Sequence, residues 1–283
     1  MPLLGCRIDG VHDELLFRDP RGLGPRPSLE PFGGGLWVTG PFLIRHRFTI
    51  DHQTGCRFVH LIRDSNPLHT EGDLVPGALT VAKSLLPLEV IFDQLGILSV
   101  RTKFTRPARY GLEMVNQFYV QPNSGGQAQI RIMTFQTDQV VAETEVRGKV
   151  LSDGAPIGSS VSDHSVQHIS RFLDCLHADS SVFFNRRGSK CLAYPKAYLA
   201  SLPSGEMVRQ LKGDGGMLNA LILEFPKGQD IPITDEQEPE VVIEGRRIRR
   251  TFQRVITRIW NGISTFCHAS ALVNQSVPSP VGV

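Results

Sequence analysis

Residues 77–98, GALTVAKSLLPLEVIFDQLGIL, form a long, predominantly apolar run opened by Val75-Pro76. Leu79, Ala82, Leu85, Leu86, Val90 and Phe92 recur at the 3.6-residue period of a buried helix, so the rest of the chain has to supply cover for it. Pro76 suits a first turn, where the missing N–H would have had no partner anyway. Pro87 predicts a kink or an early end. Behind the run come four segments of strand character, 97–105, 112–121, 127–137 and 139–151. They are parted by Arg106-Pro107, by Pro122-Asn123-Ser124-Gly125-Gly126 and by Thr137-Asp138. A buried helix followed by strands that return on themselves is an α+β arrangement. Upstream, 43–50 (LIRHRFTI) alternates apolar and basic residues as a half-buried strand does, and Asp51 caps a helix through Phe58, Leu61 and Ile62. Residues 1–40 carry GLGPRP and PFGGGLW, which predict an irregular arm with Trp37 as its anchor.

The same order then repeats. SDGAPIGSSVSD at 152–163 is a small-residue linker, Asp163-His164 opens a helical segment through Ile169, Phe172, Leu173 and Leu176, and Tyr194-Pro195 opens a second long helix. Strand-like stretches follow at 217–225, 240–249, 251–260 and 263–273, and the tail from 274 to 283 predicts disorder. The chain thus divides into a 1–40 arm, a unit at 41–151, the linker at 152–163, a second unit at 164–273 and the tail.

Chemistry concentrates at Asp64-Ser65-Asn66-Pro67-Leu68-His69. On an unbroken helix, residues five apart point about 140° away from each other, so Asp64 and His69 could not share a target. Pro67 stops that helix and pushes Asn66 toward extended geometry, which lets both side chains fold toward one point. A carboxylate and an imidazole converging on one water can move protons to and from carbon. The plain alternative is a surface turn, since all of these residues are good turn formers. Just downstream, the Gly77 and Ala78 amides would be unpaired helix-start donors, suited to an oxygen that gains negative charge.

The string DSNPLH resembles the D-x-N-P-x-H signature of the R-specific enoyl-CoA hydratases, the MaoC-like dehydratases of the hotdog superfamily. FTRPARYGLEMVNQFYV resembles their strand-turn-strand segment. The likeness spans about residues 43–150. It implies a hotdog, a curved antiparallel sheet wrapped around one long helix, and with the repeat a double hotdog with two such helices. It further implies that Asp64 and His69 activate the water that adds to a trans-2-enoyl thioester, that Asn66 orients them, and that the Gly77 amide faces the thioester carbonyl. Coenzyme A or phosphopantetheine would enter as part of the substrate, with no other cofactor and no metal. Three departures bear on the substrate. Arg63 stands where the family places glycine, the connector 70–75 is short, and Pro76 replaces a common histidine, as in carrier-protein-dependent dehydratases. The first bears on how closely an acyl chain can lie against the turn, the second suggests a more open pocket, and the third a bulky or carrier-bound thioester. The second unit offers only His177-Ala178-Asp179-Ser180-Ser181, so it serves as a structural partner without an acid/base pair of its own.

At 283 residues and 41% apolar content the chain can bury a sizeable core, and a net charge of +2 gives no reason to expect nucleic acid. No membrane span is expected. Five scattered cysteines without C-x-x-C pairs suggest reduced thiols, a cytoplasmic setting and no zinc site. His164 and His168 lack the carboxylate that would make them a metal motif, and so suggest a solvated helix face. Lys103, Arg106, Arg109, Arg246, Arg247 and Arg250 are candidates for docking coenzyme A or an acyl carrier protein, against the alternative of a solvated, edge-protecting strand for the last three. Alternatives to the hydro-lyase are a dehydratase or cyclase on a carrier-bound polyketide, a hotdog thioesterase, and a non-catalytic acyl-binding protein. A homodimer of double hotdogs is the expected assembly.

Overall fold

A computed structural model describes residues 14–18, 29–32, 35–38, 42–91, 95–123, 127–150, 163–178, 193–210, 216–226, 233, 239–249, 252–262 and 264–274. In chain order the elements are β1 (Glu14–Arg18), β2 (Leu29–Phe32), β3 (Gly35–Val38), β4 (Phe42–Thr49), α1 (His52–Leu61), α2 (Pro67–Thr70), α3 (Gly77–Ile91) and β5 (Leu95–Phe104). They continue as β6 (Glu113–Asn123), β7 (Gln127–Gln136), β8 (Gln139–Val150), α4 (Asp163–Cys175), α5 (Lys196–Gln210), β9 (Met217–Glu224), β10 (Glu240–Arg249), β11 (Phe252–Trp260) and β12 (Thr265–Asn274).

Ten strands form one antiparallel sheet in the order β1-β4-β6-β7-β8-β5-β9-β12-β11-β10, and β2 pairs with β3 in a two-stranded sheet. Strand alternation sets its two faces. Ile130, Ile132 and Thr134 of β7 are fully buried while Gln129 and Arg131, on the opposite face, are exposed. Thr137 and Asp138 both take positive φ (49° and 62°), the mirror-image turn that matches the twist of the β7–β8 hairpin. β5 and β9 pair antiparallel from Ser99 opposite Glu224 to Lys103 opposite Ala220. That pairing fuses the strands of both repeats into one sheet, where a separate sheet around each helix was expected. Helices α3 and α5 pack against each other; α3 also meets β5, and α5 meets β10 and β11.

α3 is enclosed on every side: residues 78 to 90 are all buried, Lys83, Ser84 and Glu89 among them. Pro87 does not end it. Proline deprives the carbonyl four residues earlier of its helical donor, and that carbonyl, on Lys83, accepts instead from Asn116 Nδ2 at 3.2 Å. Asn116 is itself fully buried and takes a hydrogen bond from Thr134 Oγ1 at 2.8 Å. Cys175 and Cys267 are buried, which pushes their thiols up to about 11 and about 12 and leaves them packing as small apolar groups.

Two expectations need correction. The N-terminal arm is not wholly irregular, because β1 adds to the sheet beside β4, from Glu14 opposite Arg47 to Arg18 opposite Leu43, and Trp37 lies in the β2–β3 hairpin. The first helix is not stopped by Pro67. It ends at Leu61, and Arg63 reverses the chain with φ 59°. Pro67 instead begins α2, in the first-turn position where its fixed φ fits. Of the linker expected at 152–163, Asp163 opens α4 and the rest lies outside the described residues; of the tail expected at 274–283, Asn274 closes β12 and the rest lies outside them.

Candidate active site

Asp51 caps α1 by accepting from Thr54 N at 2.7 Å and Thr54 Oγ1 at 2.9 Å, and these bonds hold its carboxyl below the usual range. At the other end of α1, Arg63 N bonds His60 O and Asp64 N bonds Val59 O. This closing turn needs the left-handed backbone at Arg63, an accommodating place for glycine and a strained one for arginine. The turn carries Asp64 under the surface, where it is 3% exposed.

Asp64 Oδ1 accepts from Asn66 N at 3.0 Å, and Oδ2 from Ser204 Oγ at 3.2 Å. Burial raises its pKa above the ordinary carboxylate range, while the charge of His69 and those two hydrogen bonds act in the opposite direction. Asn66 caps α2: its Oδ1 accepts from Leu68 N at 3.1 Å, and its Nδ2 donates to Gly216 O at 3.0 Å, tying the signature to the second repeat. His69 is half-buried, and its Nδ1 lies 2.9 Å from Leu74 O. A carbonyl only accepts, so Nδ1 carries the proton and Nε2 is the acceptor of the neutral ring.

The hydrogen-bond ladder of α3 starts from Pro76 O, which accepts from Leu79 N and Thr80 N. No group among the described residues takes the amide hydrogens of Gly77 and Ala78. A Cβ on Gly77 would meet the Phe104 ring at 3.1 Å and Leu218 Cδ2 at 3.4 Å, so these two side chains wall its Cα.

The second repeat shows what the site looks like when closed. His177 repeats the positive φ of Arg63 (55°), and Ala178 N bonds Leu173 O just as Asp64 N bonds Val59 O. Alanine thus stands in the place of Asp64. The start of α5 is filled as well, since Glu89 of α3 accepts from Lys196 N at 2.7 Å and Ala197 N at 3.0 Å. Counting from Pro76 and Pro195, those two amides correspond to Gly77 and Ala78, and the counterpart of Glu89 on α5 is Val208.

Two partners of the site were not foreseen, Ser204 and Gly205, because both come from α5 in the other repeat. A Cβ on Gly205 would sit 1.6 Å from Ile62 O, so α5 meets the end of α1 with bare backbone and thereby sets Ser204 on Asp64. A Ser-Gly pair inside a helix, at a cost near 1 kcal/mol for the glycine, is the one sequence signal that could have marked this approach. Tyr110 was also missed. Its hydroxyl donates to His69 O at 3.1 Å, His52 stands edge-on to its ring at 5.0 Å, and burial, then the charges of Cys56 and Asp64, raise its pKa above the phenol range.

The docking candidates are not gathered into one cluster. Arg106 donates to Gln139 Oε1 and Arg109 pairs with Asp73, so both have local partners. Lys103 is exposed on β5 opposite Glu143. Arg246 and Arg247 are exposed on β10, with three strands between them and β5 in the sheet, and Arg250 lies outside the described residues. His168 stands edge-on to Tyr198 at 5.7 Å, while the side chain of His164 lies outside the described residues. Among the described residues no three His, Cys, Asp or Glu side chains cluster as metal ligands, and no helix is long and apolar enough to cross a membrane.

No family model matches the chain, and no curated protein matches it in sequence. Solved structures match it in three dimensions. A MaoC-like dehydratase superposes with TM-score 0.61 at 7% identity, covering 84% of this chain and 98% of its own. RV0216 from Mycobacterium tuberculosis, a protein with a double hotdog fold, gives 0.57 at 12% identity, over 81% and 94%. The chain has a hotdog fold. A candidate thioesterase from Novosphingobium aromaticivorans gives 0.53 at 10% identity, over 82% and 96%. Hotdog architecture therefore accommodates proteins described by different reactions, and the choice among them for this hotdog chain rests on its side chains.

Proposed function

We propose that this chain is a double-hotdog hydro-lyase, in which the units at 41–151 and 164–273 share one site that interconverts (3R)-hydroxyacyl and trans-2-enoyl thioesters. The observations that carry this reading are a buried Asp64 whose carboxyl feels the charge of His69, the bond between His69 Nδ1 and Leu74 O, and a start of α3 at which no group among the described residues takes the Gly77 and Ala78 amide hydrogens. In hydration, His69 Nε2 takes a proton from water while the water oxygen bonds the β-carbon, and the acid form of Asp64, favoured by burial, gives its proton to the α-carbon. A proton then passes from the imidazolium back to the carboxylate, which restores both groups. The Gly77 and Ala78 amides meet the thioester oxygen as it gains charge. Asn66 orients the pair from the cap of α2. The pantetheine arm of coenzyme A or of a carrier protein brings the substrate, and Lys103 and Arg247, exposed on β5 and β10, would meet its phosphates.

Asp64→Asn and His69→Ala should each lower kcat for hydration of an enoyl thioester by about 100-fold to 10,000-fold, with the fold retained by circular dichroism. Loss of enoyl-thioester absorbance without release of free thiol measures hydration, and release of free thiol measures hydrolysis. Thiol release in step with the loss of absorbance would turn the reading to a thioesterase, and full hydration activity in either variant would refute it.

A further inference from the structure

Resting on that reading, we infer that Tyr110 and Gln136 are positioning residues that lock His69 in the tautomer its role as base requires. Neutral imidazole in water favours the proton on Nε2, which would leave His69 with the wrong nitrogen exposed. The hydrogen bond from Nδ1 to Leu74 O reverses that preference only if the Leu74 carbonyl is held still.

The loop between β5 and β6 holds it. Three of its consecutive residues grip the connector: Val75 N donates to Ala108 O at 2.9 Å, Arg109 forms an isolated antiparallel bridge with Leu74, and Tyr110 N donates to Asp73 O at 2.9 Å. Gln136, 5% exposed at the end of β7, fixes the middle of this grip from behind. Its Oε1 accepts from Arg109 N and its Nε2 donates to Arg109 O, both at 2.9 Å, so one side-chain amide satisfies both backbone groups of Arg109. Tyr110 closes the arrangement from the other side. Its ring lies so close to α1 that a Cβ on Gly55 would fall 2.2 Å from it, and its hydroxyl reaches over to His69 O. The histidine is thus fixed twice, at the ring through Leu74 and at the backbone through Tyr110. The short connector is strapped down over Asp73, Leu74 and Val75.

The test reads the tautomer directly. Nitrogen-15 spectra of the full chain with the ring neutral, assigned with His69→Gln, should show a single Nδ1–H form. Tyr110→Phe and Gln136→Leu should each mix in the Nε2–H form, lower kcat by about tenfold with KM within about threefold, and distort the acid limb of the pH–rate profile. Gln136→Glu, which keeps the acceptor for Arg109 N, should fall between Gln136→Leu and the unaltered chain. An Nε2–H form in the unaltered chain overturns the inference, and an unmixed Nδ1–H form in either variant removes that residue from it. Because the spectrum needs no substrate, absence of hydration with the tautomer shifts intact would sink the proposed reaction and leave the positioning role standing.

Discussion

At the scale of single residues, Asp64 trades stability for chemistry. Burial places its pKa in the folded chain above the value near 4 that it has when unfolded, so the folded state binds the proton more tightly. The contribution of the group to stability is greatest below the unfolded pKa and declines as pH rises through the folded one. Asp64→Asn removes the charge but keeps an acceptor for Asn66 N or Ser204. It should therefore melt higher than the unaltered chain at neutral pH, by a margin that grows as pH rises from about 4 and levels off above the raised pKa. Thermal melts at stepped pH check this, and an asparagine variant that melts lower at neutral pH would show that hydrogen bonds to the anion outweigh burial. Arg63 is a second trade. The departure from glycine seen in the sequence bears on backbone strain at a left-handed turn, with its side chain exposed to solvent.

At the scale of elements, much was legible in the sequence because local chemistry decides it. The strands behind α3 follow from alternation and breakers, and the cap at Asp51 from a side chain three residues before its amide partner. Pro87 was ambiguous because its outcome depends on a residue 29 positions away: a helix survives an internal proline only where something else serves the stranded carbonyl. Here Asn116 does so, backed by Thr134. Asn116→Leu should destabilise the chain by about 1–3 kcal/mol by leaving Lys83 O buried and unpaired, and Pro87→Ala in that background should recover part of the loss by restoring a helical donor. Chemical denaturation of the two variants measures both effects, and additive losses would show that Asn116 serves something other than the carbonyl. Glu89 was illegible for the same reason. Nothing local says that a glutamate near the end of one helix will cap the start of another.

At the scale of the whole molecule, the two repeats are alike in element order and unlike at corresponding points. Ile62 O and Leu176 O end equivalent turns, yet the first meets the bare backbone of Gly205 and the second accepts from the buried ammonium of Lys83 at 2.8 Å. The signature half was visible in the sequence because Asp64, Asn66 and His69 lie within six residues. The other half of the site, Ser204, Gly205 and Gly216, is contributed by the second repeat, and only the Ser-Gly pair inside α5 hints at it locally. The acid therefore depends on how α5 is seated against α1. Gly205→Ala tests that dependence, because the added carbon falls 1.6 Å from a backbone oxygen that no rotamer change can move. The helix has to shift, at a cost of about 3 kcal/mol, and Ser204 shifts with it away from Asp64. The variant should lose stability in denaturant and lose turnover even at temperatures where it remains folded. Leu202→Ala, one turn earlier in the same helix, should lose stability with turnover retained. If Gly205→Ala also keeps its turnover while folded, the site belongs to the first repeat alone.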